Sequence, residues 1–275
     1  MKEQEIRRIV RKRYGQIAQS ETSCCAAGSS CCGSSSVDQI SRKIGYSRQD
    51  IGSVPQGADL GLGCGNPVAL ASIHEGDTVL DLGSGAGLDC FLAAAKVGET
   101  GRVIGVDMTA EMVEKARANA EKGGYDNVEF RLGEIEHLPV ADSSITIIIS
   151  NCVINLSPEK QQVFDEAFRV LKPGGRLMVS DIVLLNTLPE SVKNSMEAYA
   201  SCISGAELKD DYLNAIQQVG FCKVEVLGQS RFPLDLVASE PSTQLALDDL
   251  NLSVEQALEL AQSIVSIQVS ATKEA

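Results

Sequence analysis

Residues 145–149 read ITIII, four isoleucines and a threonine in an unbroken run, followed at once by Ser150, Asn151 and Cys152. β-Branched side chains at every position favour an extended strand. Apolar groups on both of its faces mean that the sheet around it is covered on both sides. The flanking chain supplies the covering layers. TVLDLG, RVIGVDM, VEFRLG, SITIIIS and RLMVSDIV read as strands, and GLDCFLAAAKV, TAEMVEKARANAEKGG and SPEKQQVFDEAFRVLKPGG read as the helices between them. Thr109 is the expected N-cap of the second helix, with Glu111 in its first turn and Gly123-Gly124 at its end. The third is expected to start on Ser157 with Pro158 at its first position, and Lys172-Pro173-Gly174-Gly175 stops it. Strands alternating with helices predict an α/β fold with a mostly parallel, Rossmann-like sheet.

After Asp181 the order changes. LPESVKNSMEAYASCISG is expected as a helix crossing the top of the sheet. LKDDYLNAIQQVG then reads as a helix, CKVEVLG as a strand, LSVEQALELAQ as a helix and IVSIQVSATK as a strand, which brings the sheet to seven strands. Three regions follow: an N-terminal helix and Cys-rich arm (1–36), a ligand-binding domain (37–182), and a segment that completes the sheet (183–275). The chain has 275 residues, 44% of them hydrophobic, enough for a sizeable core.

A net charge of −13 argues against nucleic acid as a partner, since phosphates need a basic surface. No apolar run is long enough to span a bilayer, and MKEQEIRRIVRKRYG has no apolar stretch of the kind a secretory signal needs. A cytoplasmic protein with no membrane partner is expected. Ile6, Ile9, Val10, Tyr14 and Ile17 recur at helical spacing beside Arg7, Arg8, Arg11, Lys12 and Arg13, which predicts an amphipathic helix with a solvated basic face.

The sharpest chemical signal is VLDLGSGAG. Gly83, Ser84, Gly85 and Gly87 leave the backbone bare between a strand and a helix, so a ligand can lie against amide groups. Asp107 ends the next strand, where a carboxylate can accept both ribose hydroxyls. Leu88 follows Gly87, so the dinucleotide pattern G-x-G-x-x-G is not met, and Asp81 would repel a pyrophosphate. A cationic nucleoside without phosphate suits the loop, and S-adenosylmethionine is one. The motif D-x-G-x-G-x-G resembles the first motif of the seven-strand (class I) methyltransferases. By that topology Met108 covers the adenine, Ile135 and Glu136 flank the ring with Glu136 accepting from its amine, and Asn151 stands beside the methionine moiety.

Nine cysteines are an odd count for a disulfide framework. Cys90 and Cys222 read as packing residues. Cys24, Cys25, Cys31 and Cys32 lie in QSETSCCAAGSSCCGSSS, a small polar stretch that reads as a flexible arm. Cys64 lies in a glycine-rich loop, Cys152 at the carboxyl edge of the fourth strand and Cys202 at the end of the helix after the fifth. Two histidines are too few for a histidine metal site. Three thiolates from separate segments instead suit a soft, three-coordinate centre such as trivalent arsenic.

The stretches GLGCGNP, VLDLGSGAG, GVDMT, GEIEHLP, SNCVINLSP, RVLKPGGRL and SCISGA together resemble the arsenite S-adenosylmethionine methyltransferases over nearly the whole chain. The resemblance implies that Cys64, Cys152 and Cys202 bind As(III), which accepts a methyl group from S-adenosylmethionine. It also implies a further N-terminal thiol in a disulfide relay, reopened by a thioredoxin- or glutathione-type reductant. For that thiol the match is open among Cys24, Cys25, Cys31 and Cys32, with Cys32 taken as the candidate. The fold it implies carries a Cys-bearing lid, and Tyr14 is placed near the cofactor when that lid is closed. Two rival readings are a small-molecule C- or O-methyltransferase with incidental thiols, and a thiol sequestrant of metalloids without activity.

Overall fold

The computed structural model describes residues 3–19, 34–193, 199, 202–231, 260 and 262–275. Helix α1 (Glu3–Gln19) is followed by α2 (Ser34–Lys43), α3 (Arg48–Ser53) and the single turn α4 (Pro67–Leu70). The alternation then begins: β1 (Thr78–Leu82), α5 (Leu88–Val97), β2 (Arg102–Asp107), α6 (Ala110–Gly123), β3 (Val128–Leu132) and β4 (Ile145–Asn151). A 3-10 turn at Ile154–Leu156 leads to α7 (Lys160–Val170) and β5 (Leu171–Leu184). The turn α8 (Glu190–Lys193), then α9 (Lys209–Gln218), β6 (Cys222–Arg231) and β7 (Ile264–Thr272), complete the order.

The seven strands form one sheet in the order β3-β2-β1-β4-β5-β7-β6. The first five pair in parallel, and β7 slots antiparallel between β5 and β6. The expected sheet is present, and ITIII lies at its centre, with Ile145, Ile147, Ile148 and Ile149 all buried. Ile145 and Ile148 join Phe164, Ala167 and Tyr212 under α7 and α9. Ile147 and Ile149 face Phe91, Ala94 and Val113 under α5 and α6. A strand apolar on both faces therefore separates two cores, which is why its sequence shows no alternation.

The third core lies at the carboxyl ends of the strands. It contains Ile6 and Val10 of α1 together with Cys64, Cys152, Ile182 and Cys202. Helix α1 is amphipathic as expected, but its basic face is not wholly solvated. Arg7 is half-buried and reaches Glu136 at 3.3 Å and Glu159, while Arg11 pairs with Glu134.

Two boundaries differ from the expectation. Helix α7 starts at Lys160 with Glu159 in the cap position, so Pro158 lies outside it. The Ser157 hydroxyl accepts the Glu159 N–H (3.1 Å) and at the same time donates to the buried Glu136 carboxylate at 2.6 Å, so it still bonds the start of the helix from just outside its assigned bounds. Strand β5 takes in Lys172-Pro173-Gly174-Gly175 as a bulge, because the register against β4 jumps from Ile145↔Leu171 to Ile147↔Arg176. Thr109 does occupy the N-cap of α6, and Gly124, at φ 68°, closes that helix by donating its N–H to the Ala120 and Glu121 carbonyls. Of the helix expected over LPESVKNSMEAYASCISG, the described residues show the turn α8 at Glu190–Lys193 and non-helical turns at 202–205, while LSVEQALELAQ falls largely outside the described residues, as do Cys24, Cys25, Cys31 and Cys32.

Candidate functional site

A cleft of about 1060 Å³ opens where the strand order reverses between β1 and β4. Reversal leaves the connections on opposite faces of the sheet and a crevice between them, so ligands of doubly wound sheets bind there. Asp81, Gly83, Ser84, Gly85, Asp107, Met108, Ile135, Glu136, Asn151 and Cys152 all line it, and so does Tyr14. Ten of the expected site residues are thus brought together. Three are set back from the cleft lining: Gly87, Cys64 and Cys202.

The floor is the turn from β1 to α5. Gly83, Gly85 and Gly87 all have positive φ (67°, 52° and 100°). A Cβ on Gly85 would meet nothing within 4 Å, so its face of the backbone is open to a ligand. A Cβ on Gly87 would fall 2.7 Å from Phe91 Cε2 and 2.8 Å from Phe130 Cζ, so this glycine serves packing instead of ligand contact. The Asp107 carboxylate accepts the Gly85 N–H (2.9 Å) through one oxygen and the Thr109 N–H (2.8 Å) through the other. Those bonds fix the carboxylate against the loop, with lone pairs left over for ribose hydroxyls. Burial raises its pKa from the ordinary value, and the two backbone donors oppose that shift.

Ser84 Oγ is buried and has no partner among the described residues, which suits a polar ligand atom. Asp81 and Asp89 are two buried carboxylates on one wall. Burial and the neighbouring Asp89 push Asp81 well up, while the Cys90 thiol donates to it at 3.2 Å. Asp89 is pushed up to about 6 by burial, against hydrogen bonds from Tyr46 and Asn151. Two buried acids repel, and a cationic ligand relieves both the repulsion and the desolvation. Donor set and charge together fit a nucleoside that carries an ammonium and a sulfonium.

Glu136 and Asn151 are less available than the sequence implies. Glu136 Oε1 accepts from Ser157 Oγ at 2.6 Å and pairs with Arg7. Helix α1 is thereby tied across the mouth of the cleft at the position expected to meet an adenine amine. The Asn151 side chain bonds to Cys64 N, Gly65 O, Tyr46 Oη and Asp89 Oδ2, all within the protein.

Behind Cys152 the third core packs Cys64 and Cys202 against it, but the set of ligand atoms close enough to share one centre takes in Asp181 and not Cys202. Cys64 Sγ, Cys152 Sγ and a carboxylate oxygen of Asp181 all lie within 4.8 Å of one another. Cys202 Sγ donates to Cys152 O at 3.1 Å, and Cys64 Sγ donates to Ser180 O at 3.4 Å. Cys152 and Cys202 both have positive φ (58° and 64°), although neither is glycine. This conformation strains an L-residue, and such strain concentrates at functional positions. Burial raises the Cys64 thiol. It pushes Cys152 well up, as do the hydrogen bonds that its thiol donates to the neighbouring Cys202 and Cys64. Cys64 and Cys152 are therefore protonated at neutral pH and deprotonate when a thiophilic centre binds. Tyr14, on α1, closes over this cluster, its hydroxyl pushed well up by burial and by Cys202.

Sequence reasoning missed Tyr46, Asp89 and Asp181. Asp89 alone had a visible signal, an acid in the first helical turn after the glycine loop. Asp181 is fully buried and accepts from Asn155 Nδ2 (2.8 Å), Ile182 N (2.9 Å) and Tyr212 Oη (3.2 Å). Burial pushes it up to about 7, opposed by those donors and by Lys160.

Residues 73–220 match the model of a methyltransferase-domain family. The chain is 51% identical over 230 residues to the arsenite methyltransferase of Halobacterium salinarum, covering 81% of this chain and 59% of that protein. To the arsenite methyltransferase of mouse it is 43% identical over 169 residues, 58% of this chain and 44% of that one. The solved structure of an arsenic(III) S-adenosylmethionine methyltransferase from Chlamydomonas reinhardtii superposes with a TM-score of 0.63 at 32% identity, over 86% of this chain and 73% of that one. The chain thus spans about six tenths or less of the length of the curated relatives it matches.

Proposed function

Since this chain belongs to the arsenite methyltransferases of the class I fold, we propose that it methylates trivalent arsenic with S-adenosylmethionine as methyl donor. The observation that carries the proposal is the packing of Cys64, Cys152 and Cys202, from distant segments, into one core that adjoins the nucleoside cleft at Cys152. When bound, S-adenosylmethionine supplies a methyl group on a positive sulfur, which an arsenic lone pair can take up without any proton being removed. Asp107, fixed by the Gly85 amide, holds the ribose, Asp81 meets the ammonium, and Met108 with Ile135 encloses the base. Cys64, Cys152 and Cys202 hold arsenic, releasing one water from arsenous acid for each As–S bond formed.

Fixing nucleophile and methyl in register is the main contribution asked of the protein. Such positioning is worth roughly 7–11 kcal/mol. Methylation takes two electrons from arsenic. Two thiolates that close a disulfide return them, and a thioredoxin-type dithiol, or two glutathione-type thiols, reopens that bond by exchange. This requirement favours a reducing compartment, the cytoplasm, and Cys32 or one of its neighbours is the candidate relay thiol.

The test is to incubate the protein with As(III), S-adenosylmethionine and a thiol reductant and then to speciate the arsenic. Methylated arsenicals are expected from the native chain, with a loss of at least 100-fold for Cys152→Ser. Tight As(III) binding without methylated product, or unchanged turnover in Cys152→Ser, would overturn the reading.

A further inference from the structure

We propose that Asn151 is a positioning residue for the Cys64 thiol, and that Tyr46 and Asp89 set the orientation of its amide. The inference rests on the reading of Cys64 as an arsenic ligand. Asn151 ends β4 on the wall of the nucleoside cleft, and two of its bonds lead away from it to the loop that carries Cys64. Its Oδ1 accepts the Cys64 N–H at 3.0 Å, and its Nδ2 reaches Gly65 O at 2.8 Å. One side-chain amide thus brackets the backbone of Cys64, as an adjacent strand would.

The loop is built for that approach. A Cβ on Gly63 would fall 2.7 Å from Asn151 Nδ2, and one on Gly65 would fall 2.6 Å from Ser180 Oγ. Glycine on both sides lets Cys64 lie against Asn151 and Ser180. From the far side Ser266 Oγ donates to Cys64 O at 2.8 Å. With its N–H and C=O both bound, Cys64 has its thiol set toward Cys152 and the Ser180 carbonyl.

A side-chain amide can turn by 180° at little steric cost, so something must choose its orientation. Tyr46 donates its hydroxyl hydrogen to Asp89 Oδ1 at 2.7 Å. Its oxygen is then left as an acceptor, 2.8 Å from Asn151 Nδ2, and Asp89 Oδ2 is a second acceptor at 3.1 Å. Both accept only from an NH2 group. The pair therefore turns Nδ2 inward and leaves Oδ1 for the Cys64 N–H. A residue on the wall of the cofactor cleft accordingly governs the ligand of the other substrate.

The test uses the full chain with Asn151→Ala and, as a variant that keeps the side-chain shape, Tyr46→Phe. Three quantities are compared with the native protein: the alkylation rate of each cysteine mapped by mass spectrometry, the Kd for As(III), and the Kd for S-adenosylhomocysteine. Asn151→Ala should speed alkylation of Cys64 at least tenfold relative to Cys90 and weaken As(III) at least tenfold, a larger factor than any change in the nucleoside Kd. Tyr46→Phe should shift the first two the same way by a smaller factor. Loss of nucleoside affinity with unchanged Cys64 reactivity and As(III) binding would overturn the proposal, as would an equal fall in every readout. If the native chain binds no As(III) at all, the functional reading fails, and the alkylation ratio alone still decides the role of Asn151.

Discussion

Cys152 and Cys202 occupy backbone conformations in which a Cβ is a burden, at φ 58° and 64°, whereas Cys64 is not among the residues of positive φ. A left-handed residue with a Cβ costs about 1–2 kcal/mol against glycine. Alanine and glycine both delete the thiol, so comparing them isolates the backbone. Cys152→Gly and Cys202→Gly should melt above the matching alanine variants by about 1 kcal/mol, and at Cys64 the order should reverse. Thermal unfolding of the three pairs checks this, and an alanine advantage at 152 would contradict the assigned strain. None of these dihedrals was legible in the sequence. The same holds for Tyr46 and Asp181, whose partners lie 43 and 31 positions away, because a hydrogen bond across such a separation leaves no periodic trace.

At the scale of elements the sequence was far more informative. Side-chain period and helix-stop residues are local, so β1, α5, β2, α6, β3 and β4 fell close to their expected bounds. An error came where a distant partner overrode a local preference: β5 was extended through Pro173 by pairing with its neighbour. Helix α1 was read correctly as amphipathic, but its docking depends on Arg7 with Glu136 and Glu159, and on Arg11 with Glu134. Partly exposed pairs of this kind weaken when salt shortens the screening length to about 3 Å near 1 M. Hydrogen exchange of the α1 amides should accelerate severalfold in 1 M salt or in Arg7→Ala, while β4 stays protected. Equal protection of α1 under both conditions would show that Ile6 and Val10 alone hold it.

For the whole molecule, burying acids gives stability a distinct dependence on pH. Asp181 is pushed up to about 7 and Asp89 to about 6, both above the ordinary carboxylate range. A raised carboxyl favours the fold while neutral, so its contribution is full below about pH 4 and fades as pH rises through the folded value. At about 1.4 kcal/mol per pH unit, Asp181 alone accounts for on the order of 4 kcal/mol between the ordinary value and about 7. Asp181→Asn keeps the shape without the charge. Relative to the native chain it should therefore gain stability from pH 4.5 to pH 8, as read by denaturant midpoints at each pH. A constant difference would place the ionisation of Asp181 elsewhere.

The left-handed cysteines bear on how such a chain can change over generations. Random substitution screened only for a sturdier fold would drift toward glycine at positions 152 and 202, since the backbone there favours it. Sulfur at these two sites packs in the third core against an unfavourable backbone conformation, and a requirement for the thiol itself would retain it. Lineages released from metalloid exposure should shed these atoms before the ones in Cys90 or Cys222.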